Sequence, residues 1–210
     1  GGGEVYLHEL TAAYGSFANG GLQTTPVSIL QVDDRDGKKI FEHRPVKGRQ
    51  VMTNEEAYLI NHILSDNSAR AMTFGANSLL NYRGQSVAVK TGTTNSRRDN
   101  WTIGWSQSAV VGVWVGNNDN TSMTNVASGV TGASPIWRRI MDETIRRGYL
   151  ATDWTVPSGI EVVQVDAISG YPAHDDLPEK TEVVIRGTLP PLPDQIHQKL
   201  RLCRDQNRLA

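Results

Sequence analysis

The sequence predicts an α+β fold in which helices pack against an antiparallel sheet. Helical periodicity appears near the N-terminal end, where Leu7, Leu10, Tyr14 and Phe17 recur at intervals of three and four. Runs rich in β-forming residues, separated by short polar turns, follow between positions 86 and 115. A further periodic apolar segment comes after them. Helices are therefore available on both sides of these runs to cover the sheet.

The first third of the chain predicts one helix and one hairpin. The first helix should end at Asn19-Gly20-Gly21, because glycine readily adopts the left-handed conformation that closes a helix. Two strands, Val27 to Val32 and Lys39 to His43, flank Asp36-Gly37. Both residues of that dipeptide tolerate positive φ, which favours a tight antiparallel turn.

Later segments predict two more helices around the sheet. Thr53-Asn54-Glu55-Glu56 is a capping box that opens a second helix. Ser134 precedes Pro135, the order typical of a capping residue and a first helical position, and a third helix should continue to Gly148. The strands between them are predicted at Ser86 to Thr91, Trp101 to Trp105, and Ala109 to Val115.

Composition excludes several classes of function. The 210 residues carry 21 basic and 22 acidic side chains, so no global field favours nucleic acid or an anionic membrane. No apolar run approaches the roughly 18 residues that a membrane span needs. The chain opens on Gly1-Gly2-Gly3 without Met, which is typical of a piece cut from a longer protein, so we expect any membrane anchor to lie outside it.

The residues that ligate metals show no recognisable pattern. The single Cys203 excludes an internal disulfide framework and a multi-cysteine metal cluster. The histidines lack the close spacing of metal-binding motifs; they are His8, His43, His62, His174 and His197. We therefore expect no metal and no organic cofactor.

The chain divides by composition into residues 1–150 and residues 151–210. The second part contains six prolines and short β-prone pieces at Glu161 to Val165 and Thr181 to Arg186. We predict a Pro-rich extended tail or a small appended module there.

The segment Lys90-Thr91-Gly92-Thr93 carries the clearest chemistry. It ends a β-prone run, and it places an ammonium group and two hydroxyls at one strand end. These groups suit a peptide carboxylate, and Gly92 lets a substrate approach the backbone. Alternation predicts Lys90 and Gly92 on one face and both threonines on the other. Such a strand can also pair with a substrate main chain, and the Thr93 amide is a candidate oxyanion donor.

The chain resembles the transpeptidase region of class A penicillin-binding proteins, the bifunctional peptidoglycan synthases. K-T-G is a signature of penicillin-binding proteins and β-lactamases. The matching stretches follow the family's order between residues 1 and 147: LTAAY at 10–14, FANGG at 17–21, ILSDNSAR at 63–70, VKTGTTN at 89–95 with Asp99 and Trp101, VGVWVGNND at 111–119 and ASPIW at 133–137. The stretch TEVVIRGT at 181–188 resembles the family's extension.

The resemblance implies a penicillin-binding/β-lactamase-like transpeptidase fold, of which residues 1–150 form the C-terminal portion. It implies a serine acyl-enzyme formed with a D-Ala-D-Ala stem peptide, with β-lactams as substrate mimics, on the extracytoplasmic face of a bacterial membrane. Lys90 is the implied catalytic residue, and it binds substrate together with Thr91, Gly92 and Thr93. The family's S-x-x-K motif does not occur in this chain. We expect the serine upstream, in the other half of the same domain, and expect the chain alone to be inactive.

Other interpretations fit the residues less well. Ser65-Asp66-Asn67 matches the S-x-N motif by letter, but only 22 residues separate Asn67 from Lys90, and the triplet at the end of a helix indicates a helix stop. A phosphate-binding loop fails because Val89 replaces its second glycine. A non-catalytic penicillin-recognising or scaffolding module remains the alternative function.

Residues outside that segment are interpreted as structural. Asp99 and Asp119 lie beside turns, where carboxylates usually accept hydrogen bonds from nearby backbone. The three tryptophans of the strands indicate cross-strand packing. The arginine pairs indicate a solvated surface; they are Arg97-Arg98, Arg138-Arg139 and Arg146-Arg147.

Overall fold

A computed structural model of the chain describes residues 3–124, 131–149, 153–174, 177–190, 194 and 196–197. The chain forms two compact units, Gly1–Pro157 and Ser158–Ala210. None of the described helices is long and apolar enough to cross a membrane.

Four α-helices, one short 3-10 helix (Asn95–Arg97) and nine strands are described. The helices are α1 (Leu7–Ala18), α2 (Asn54–Ser65), α3 (Asn67–Phe74) and α4 (Ala133–Arg146). The strands of the first unit are β1 (Leu22–Gln23), β2 (Gln31–Asp33), β3 (Lys39–Glu42), β4 (Arg49–Gln50), β5 (Ala88–Thr93), β6 (Asp99–Trp105) and β7 (Val110–Gly116). The second unit contains β8 (Ile160–Asp166) and β9 (Glu179–Ile185).

The first unit is built on the antiparallel sheet β5-β6-β7, with β5 at one edge. In the register, Lys90 lies opposite Ile103, Gly92 opposite Trp101, and Trp101 opposite Trp114. One face of this sheet is covered by α4, and the other is covered by α1 and α2. The predicted α+β arrangement of helices on an antiparallel sheet is therefore confirmed.

The face against α4 holds the larger apolar cluster. Val87, Val89 and Val111 pack there against Trp137 and Met141 of α4, and all five are buried. The helix lies very close to the sheet at Gly104, where an added Cβ would stand 2.2 Å from Trp137 Cζ2. A side chain at position 104 would therefore push the helix away from the sheet.

The opposite face is organised around Trp105. Its indole packs against Tyr14 and Phe17 of α1, with ring centroids 5.2 and 5.8 Å away. The Trp105 Nε1–H donates to Asn61 Oδ1 of α2 at 2.7 Å, and Asn61 Nδ2 donates to the Phe17 carbonyl at 2.8 Å. One buried amide thus joins β6, α1 and α2 and satisfies the polar edge of the indole.

The local predictions are largely confirmed. Helix α1 ends where expected, with the Gly21 amide donating to the Ser16 carbonyl. The Thr53–Glu56 capping box is present at the start of α2. The predicted hairpin is also present as β2-β3, although both strands are shorter than expected and every residue in them is exposed.

Two predictions at helix starts differ from the structure. The sequence did not predict α3, which begins immediately after α2 because Asp66 closes α2 and its carboxylate accepts from the Ser68 amide. Helix α4 begins at Ala133, with Gly132 as its N-cap, so Ser134 is not a cap. The Ser134 hydroxyl is instead buried and hydrogen-bonds Thr102 Oγ1 at 2.9 Å.

The second unit contains an antiparallel pair, β8-β9, in unbroken register from Ile160 opposite Ile185 to Asp166 opposite Glu179. Both predicted β-prone pieces are confirmed as strands: β8 is one residue longer at each end than predicted, whereas β9 begins two residues earlier and ends one residue earlier. At the end of β8, the Asp166 backbone and carboxylate organise a turn that returns at Tyr171.

Candidate substrate-binding site

The predicted site lies at the exposed end of the edge strand β5. The strand begins with buried Ala88 and Val89 and continues with Lys90, Thr91, Gly92 and Thr93, of which Thr91 is half-buried and the others are exposed. The change from buried to exposed occurs between Val89 and Lys90. One strand therefore belongs to the core at its start and to the surface at its end.

A groove of about 1250 Å³ lies along this end of β5. All four residues of the segment line it, together with aromatic side chains from α1 and from the neighbouring strands, which are Tyr14, Trp101 and Trp114. A groove of this size accommodates a peptide-sized or drug-sized ligand. The groove thus brings together the edge of β5, the ammonium group of Lys90 and a wall of aromatic side chains.

The charges in the groove come from few side chains. Lys90 Nζ donates to the Thr91 carbonyl at 2.6 Å, which holds the ammonium at the strand edge. Arg98 and Glu4 also line the groove. Asp99 lines it as well, but both of its carboxylate oxygens accept hydrogen bonds from within the chain. Lys90 and Arg98 are therefore the groups suited to an anionic ligand.

The Thr93 hydroxyl is oriented by a hydrogen bond from Asn100, on the side of the sheet that faces α4. Register places these residues opposite one another, and Asn100 Nδ2 donates to Thr93 Oγ1 at 3.2 Å. The same amide accepts from the Ala133 backbone N–H at 2.6 Å through Oδ1. Asn100 is fully buried. It therefore ties the first residue of α4 to the site and leaves the Thr93 hydroxyl proton available for a ligand.

Asp99 closes the turn between β5 and β6. Its carboxylate accepts from Thr94 Oγ1 at 3.0 Å and from Trp114 Nε1 at 2.9 Å, and its backbone N–H donates to Thr94 Oγ1 at 2.9 Å. Asp99 therefore orients one aromatic wall of the groove. Asp119 likewise accepts from the Thr121 amide and hydroxyl, which hold its pKa below the usual value. Both carboxylates have structural partners, as predicted.

Gly92 is not required by the packing of the chain itself. An added Cβ would meet only Trp101 Cβ, at 3.8 Å, which is ordinary van der Waals contact. Lys90 and Gly92 share the sheet face that carries Trp101, while Thr91 and Thr93 pair with residues that face α4. The missing side chain therefore leaves space in the groove rather than in the core.

Ser65, Asp66 and Asn67 do not line the groove. The Ser65 hydroxyl donates to the Asn61 carbonyl at 2.7 Å, Asp66 caps α3, and Asn67 Nδ2 donates to the Ala76 carbonyl at 3.1 Å. The interpretation of this triplet as a helix stop is confirmed, although a new helix starts at once.

The predicted solvated face of arginines needs one correction. Arg138 has 28% of its side chain exposed, donates to the carbonyls of Leu79 and Asn81, and pairs with Asp142. Its guanidinium also lies 3.9 Å from the centre of the Tyr82 ring. Arg138 therefore fastens the 79–82 loop to α4. Arg146 and Arg147 are exposed and pair with Glu143.

Sequence reasoning missed several groove residues. The predicted cross-strand packing of Trp101 and Trp114 is confirmed, with ring centroids 6.5 Å apart, but both side chains also line the groove. Arg98, interpreted as part of a solvated pair, lines it as well. The available signal was register: Trp101 and Gly92 are paired across β5 and β6, so the tryptophan must lie beside the glycine. Which residues pair across β5 and β6 depends on the length and geometry of the turn between them, and the sequence did not predict that turn.

The sequence and structure are similar to those of known proteins. The family described as "Penicillin binding protein transpeptidase domain" matches residues 5–142. The chain is 32% identical over 187 residues to penicillin-binding protein 1A of Clostridium tetani, covering 86% of this chain and 23% of that protein. It is 31% identical over 191 residues to penicillin-binding protein 1A of Aquifex aeolicus, covering 89% of this chain and 25% of that protein.

Solved structures confirm the predicted fold. The crystal structure of penicillin-binding protein 1A from Haemophilus influenzae superimposes with a TM-score of 0.73 at 22% identity, covering 89% of this chain and 33% of that one. PonA1 from Mycobacterium tuberculosis in complex with penicillin V gives a TM-score of 0.58 at 22% identity, covering 72% of this chain and 40% of that one.

The chain spans about a quarter of the length of the curated relatives described above. The family match covers most of the first unit, including β5 and all but two of the residues that line its groove. The chain belongs to the penicillin-binding protein transpeptidase domain family, in its class A branch.

Proposed function

We propose that the chain supplies the substrate-binding strand of a serine-type peptidoglycan D,D-transpeptidase. The reaction would begin with attack of a serine on the D-Ala-D-Ala bond of a stem peptide, releasing D-alanine and leaving an acyl ester. An amino group of a second stem peptide would then displace the serine, forming the cross-link. No Ser-x-x-Lys occurs in this chain, so the nucleophile is assigned to an upstream segment of the same domain.

The observation that carries this proposal is the exposed end of β5 within the groove. Family membership supplies the substrate class, and the geometry supplies the binding groups. Lys90 is the cation at the strand edge, and Thr93 offers a hydroxyl whose acceptor side is occupied by Asn100. Gly92 leaves space beside Trp101. A peptide carboxylate and an extended main chain fit this set of groups.

Each residue of the segment has a proposed role. Lys90 and Thr91 would organise the proton network and the binding of the carboxylate around the serine, and Lys90 is the proposed catalytic residue. Thr91 and Thr93 would bind the substrate carboxylate and main chain, and Gly92 would allow close approach. A β-lactam, which carries a carboxylate beside a reactive amide, would occupy the same groups and acylate the same serine.

The proposal places the site on the extracytoplasmic side of a bacterial membrane, where peptidoglycan is cross-linked. Residues 1–150 would form the C-terminal part of the transpeptidase domain, and residues 151–210 would form an appended module. The domain half that carries the serine would be the principal partner of this chain. Any membrane attachment would come through an anchor outside it.

The absence of Ser-x-x-Lys from the chain favours one second candidate, a penicillin-recognising or scaffolding module without turnover. Both candidates use the same groove. They differ in whether a covalent product forms when the upstream segment is present.

The test is covalent labelling with a fluorescent penicillin. The 210-residue chain is incubated alone and then with the upstream segment of the domain, and label is located by denaturing gel and intact mass. We expect label on the upstream segment, and only when both parts are present in one folded protein. Reversible binding without covalent label would support the non-catalytic module, and label on the chain alone would contradict the assignment of the nucleophile.

A further inference from the structure

Two carboxylates and an imidazole converge within the second unit. They belong to Asp166, Asp194 and His197, which we call the Asp-Asp-His cluster. One donor atom from each residue lies within 4.8 Å of the others. Asp166 ends β8, whereas Asp194 and His197 lie about 30 positions later in the chain. The cluster therefore joins two distant parts of this unit.

Both carboxylates are removed from solvent. The side chains of Asp166 and Asp194 are 0% exposed, and that of His197 is 26% exposed. Asp166 Oδ1 accepts from the backbone amides of Ile168 and Ser169 at 3.0 and 2.7 Å. Its other oxygen, Oδ2, is buried and has no hydrogen-bond partner in the described part of the chain. Burying a carboxylate oxygen without a hydrogen-bond partner is costly, so a ligand that contacts Oδ2 would relieve that cost.

The geometry points to a divalent metal ion of the zinc type, and we propose that the Asp-Asp-His cluster binds one. Carboxylate oxygen and imidazole nitrogen are ligands that zinc uses at about 2.0–2.2 Å, which places neighbouring ligands of a tetrahedral site roughly 3.4 Å apart. His197 Nδ1 is 3.7 Å from Asp166 Oδ1 and contacts Asp194 Oδ2 directly, so a bound ion would have to separate His197 from Asp194. His174 Nε2 is 3.5 Å from Asp194 Oδ2 but does not belong to the convergent set, so the cluster offers three ligands and leaves the fourth position of a zinc site open.

The charge count of the cluster also suits a divalent ion. Two carboxylates and a neutral imidazole would balance the two positive charges of one such ion. Without an ion, the His197 ring contacts Asp194 directly.

The sequence predicted no metal because its histidines lack the close spacing of metal-binding motifs. That criterion detects only ligands that are near one another in the sequence, and not all residues of the Asp-Asp-His cluster are. Its ligands come from a strand end and a distant segment, so the pattern exists only after the chain folds. The cluster lies outside residues 5–142, which match the transpeptidase family, and is independent of the function proposed for β5.

The test is Zn²⁺ titration of the metal-free 210-residue chain by calorimetry, combined with X-ray absorption of the bound ion. A Cys203→Ser background removes the single thiol, which would otherwise compete for zinc. We expect one equivalent of Zn²⁺ with nitrogen and oxygen ligands at about 2.0–2.2 Å. His197→Ala and Asp194→Asn should each weaken binding by about 100-fold, at or above the top of the range for outer-shell partners.

His8→Ala is the matched control, since His8 is an exposed histidine of α1 and should not affect the titration. Circular dichroism establishes that each variant is folded, and two ligand variants keep the test valid if one fails to fold. The proposal is overturned if the parent chain binds no Zn²⁺, or if His197→Ala and His8→Ala bind it equally well.

Discussion

The two ends of β5 differ in their exposure to solvent. Ala88 and Val89 are 0% and 4% exposed and lie between helices on both faces of the sheet. Lys90 to Thr93 continue the same strand in the same register, yet they line a groove. The backbone is therefore held rigid by one end of the strand while the other end faces a ligand.

This difference separates stability from binding along a single strand. A rigid scaffold fixes the position of binding groups and reduces the conformational entropy lost when a ligand binds. Substitutions at the buried end should lower the free energy of unfolding and leave the chemistry of the folded fraction intact. Substitutions at the exposed end should leave the free energy of unfolding nearly unchanged and lower the rate of acylation. The predictions below test that separation, and the acylation assays use the longer protein that carries the upstream serine segment.

Gly104→Ala should give the largest loss of stability. The new Cβ would stand 2.2 Å from Trp137 Cζ2, and Trp137 is fully buried, so the ring cannot move aside without disturbing the core. Overpacking of this kind costs about 3 kcal/mol. Chemical unfolding followed by tryptophan fluorescence measures the change. An unfolding free energy within 0.5 kcal/mol of the parent, roughly the range of a neutral surface substitution, would show that α4 and the sheet are not closely packed.

Asn61→Ala should cost about 2 kcal/mol, because it leaves Trp105 Nε1 buried without its acceptor. The Phe17 carbonyl would lose its side-chain donor as well. Urea unfolding of the variant, compared with Asn77→Ala in an exposed loop, provides the measurement. Equal stability of the two variants would mean that the amide does not join α1, α2 and β6 as described.

Gly92→Ala should leave stability unchanged or slightly raised, because the added Cβ meets only Trp101 Cβ at 3.8 Å and alanine restricts the unfolded chain. Acylation by penicillin should nevertheless fall by about tenfold, equivalent to about 1.4 kcal/mol in the activation barrier, since the methyl group occupies space in the groove. Stopped-flow labelling and thermal unfolding of the same preparation measure both quantities. Gly104→Ala is the matched glycine-to-alanine control on the buried side of the sheet. If both variants changed stability and acylation in the same proportion, the two ends of the strand would not have separate roles.

The smallest expected effect concerns acid stability at the end of α4. Hydrogen bonds from Arg146 and then Arg147 lower the pKa of Glu143 from 4.5 to about 2. A carboxylate whose folded pKa is depressed stabilises the fold above its unfolded pKa and loses that contribution as the pH falls toward 2. The loss of thermal stability between pH 5 and pH 2 should therefore be slightly smaller in Glu143→Gln than in the parent. An identical acid response in Glu55→Gln and Glu143→Gln would contradict this assignment.

The sequence predicted those features of the fold that depend on local chemistry. The Thr53–Glu56 box and the helix end at Gly20-Gly21 follow from side-chain and backbone preferences within a few residues, and both are confirmed. Helix α3 was missed because Asp66 serves two helices at once, closing α2 and capping α3. Ser134 was assigned as a cap, but a tertiary contact with Thr102 determines its environment.

The sequence predicted only those parts of the site that depend on residues adjacent in the chain. Lys90 to Thr93 form a contiguous motif, so their chemistry could be inferred without knowledge of the fold. The roles of Asn100 behind Thr93 and of Trp101 beside Gly92 depend on the register of β5 and β6, which the sequence did not define. The Asp-Asp-His cluster depends on an even longer-range arrangement within the second unit, and no local pattern indicates it.

The most direct test of the central claim is the second-order rate of penicillin acylation for Lys90→Ala in the longer protein. We predict a reduction of about 10²- to 10³-fold with unchanged thermal stability, because Lys90 is exposed and acts on the ligand rather than on the core. Lys38→Ala, at an exposed lysine of the β2-β3 turn, should acylate at the parental rate. A parental rate for Lys90→Ala would contradict the assignment of β5 as the substrate-binding strand.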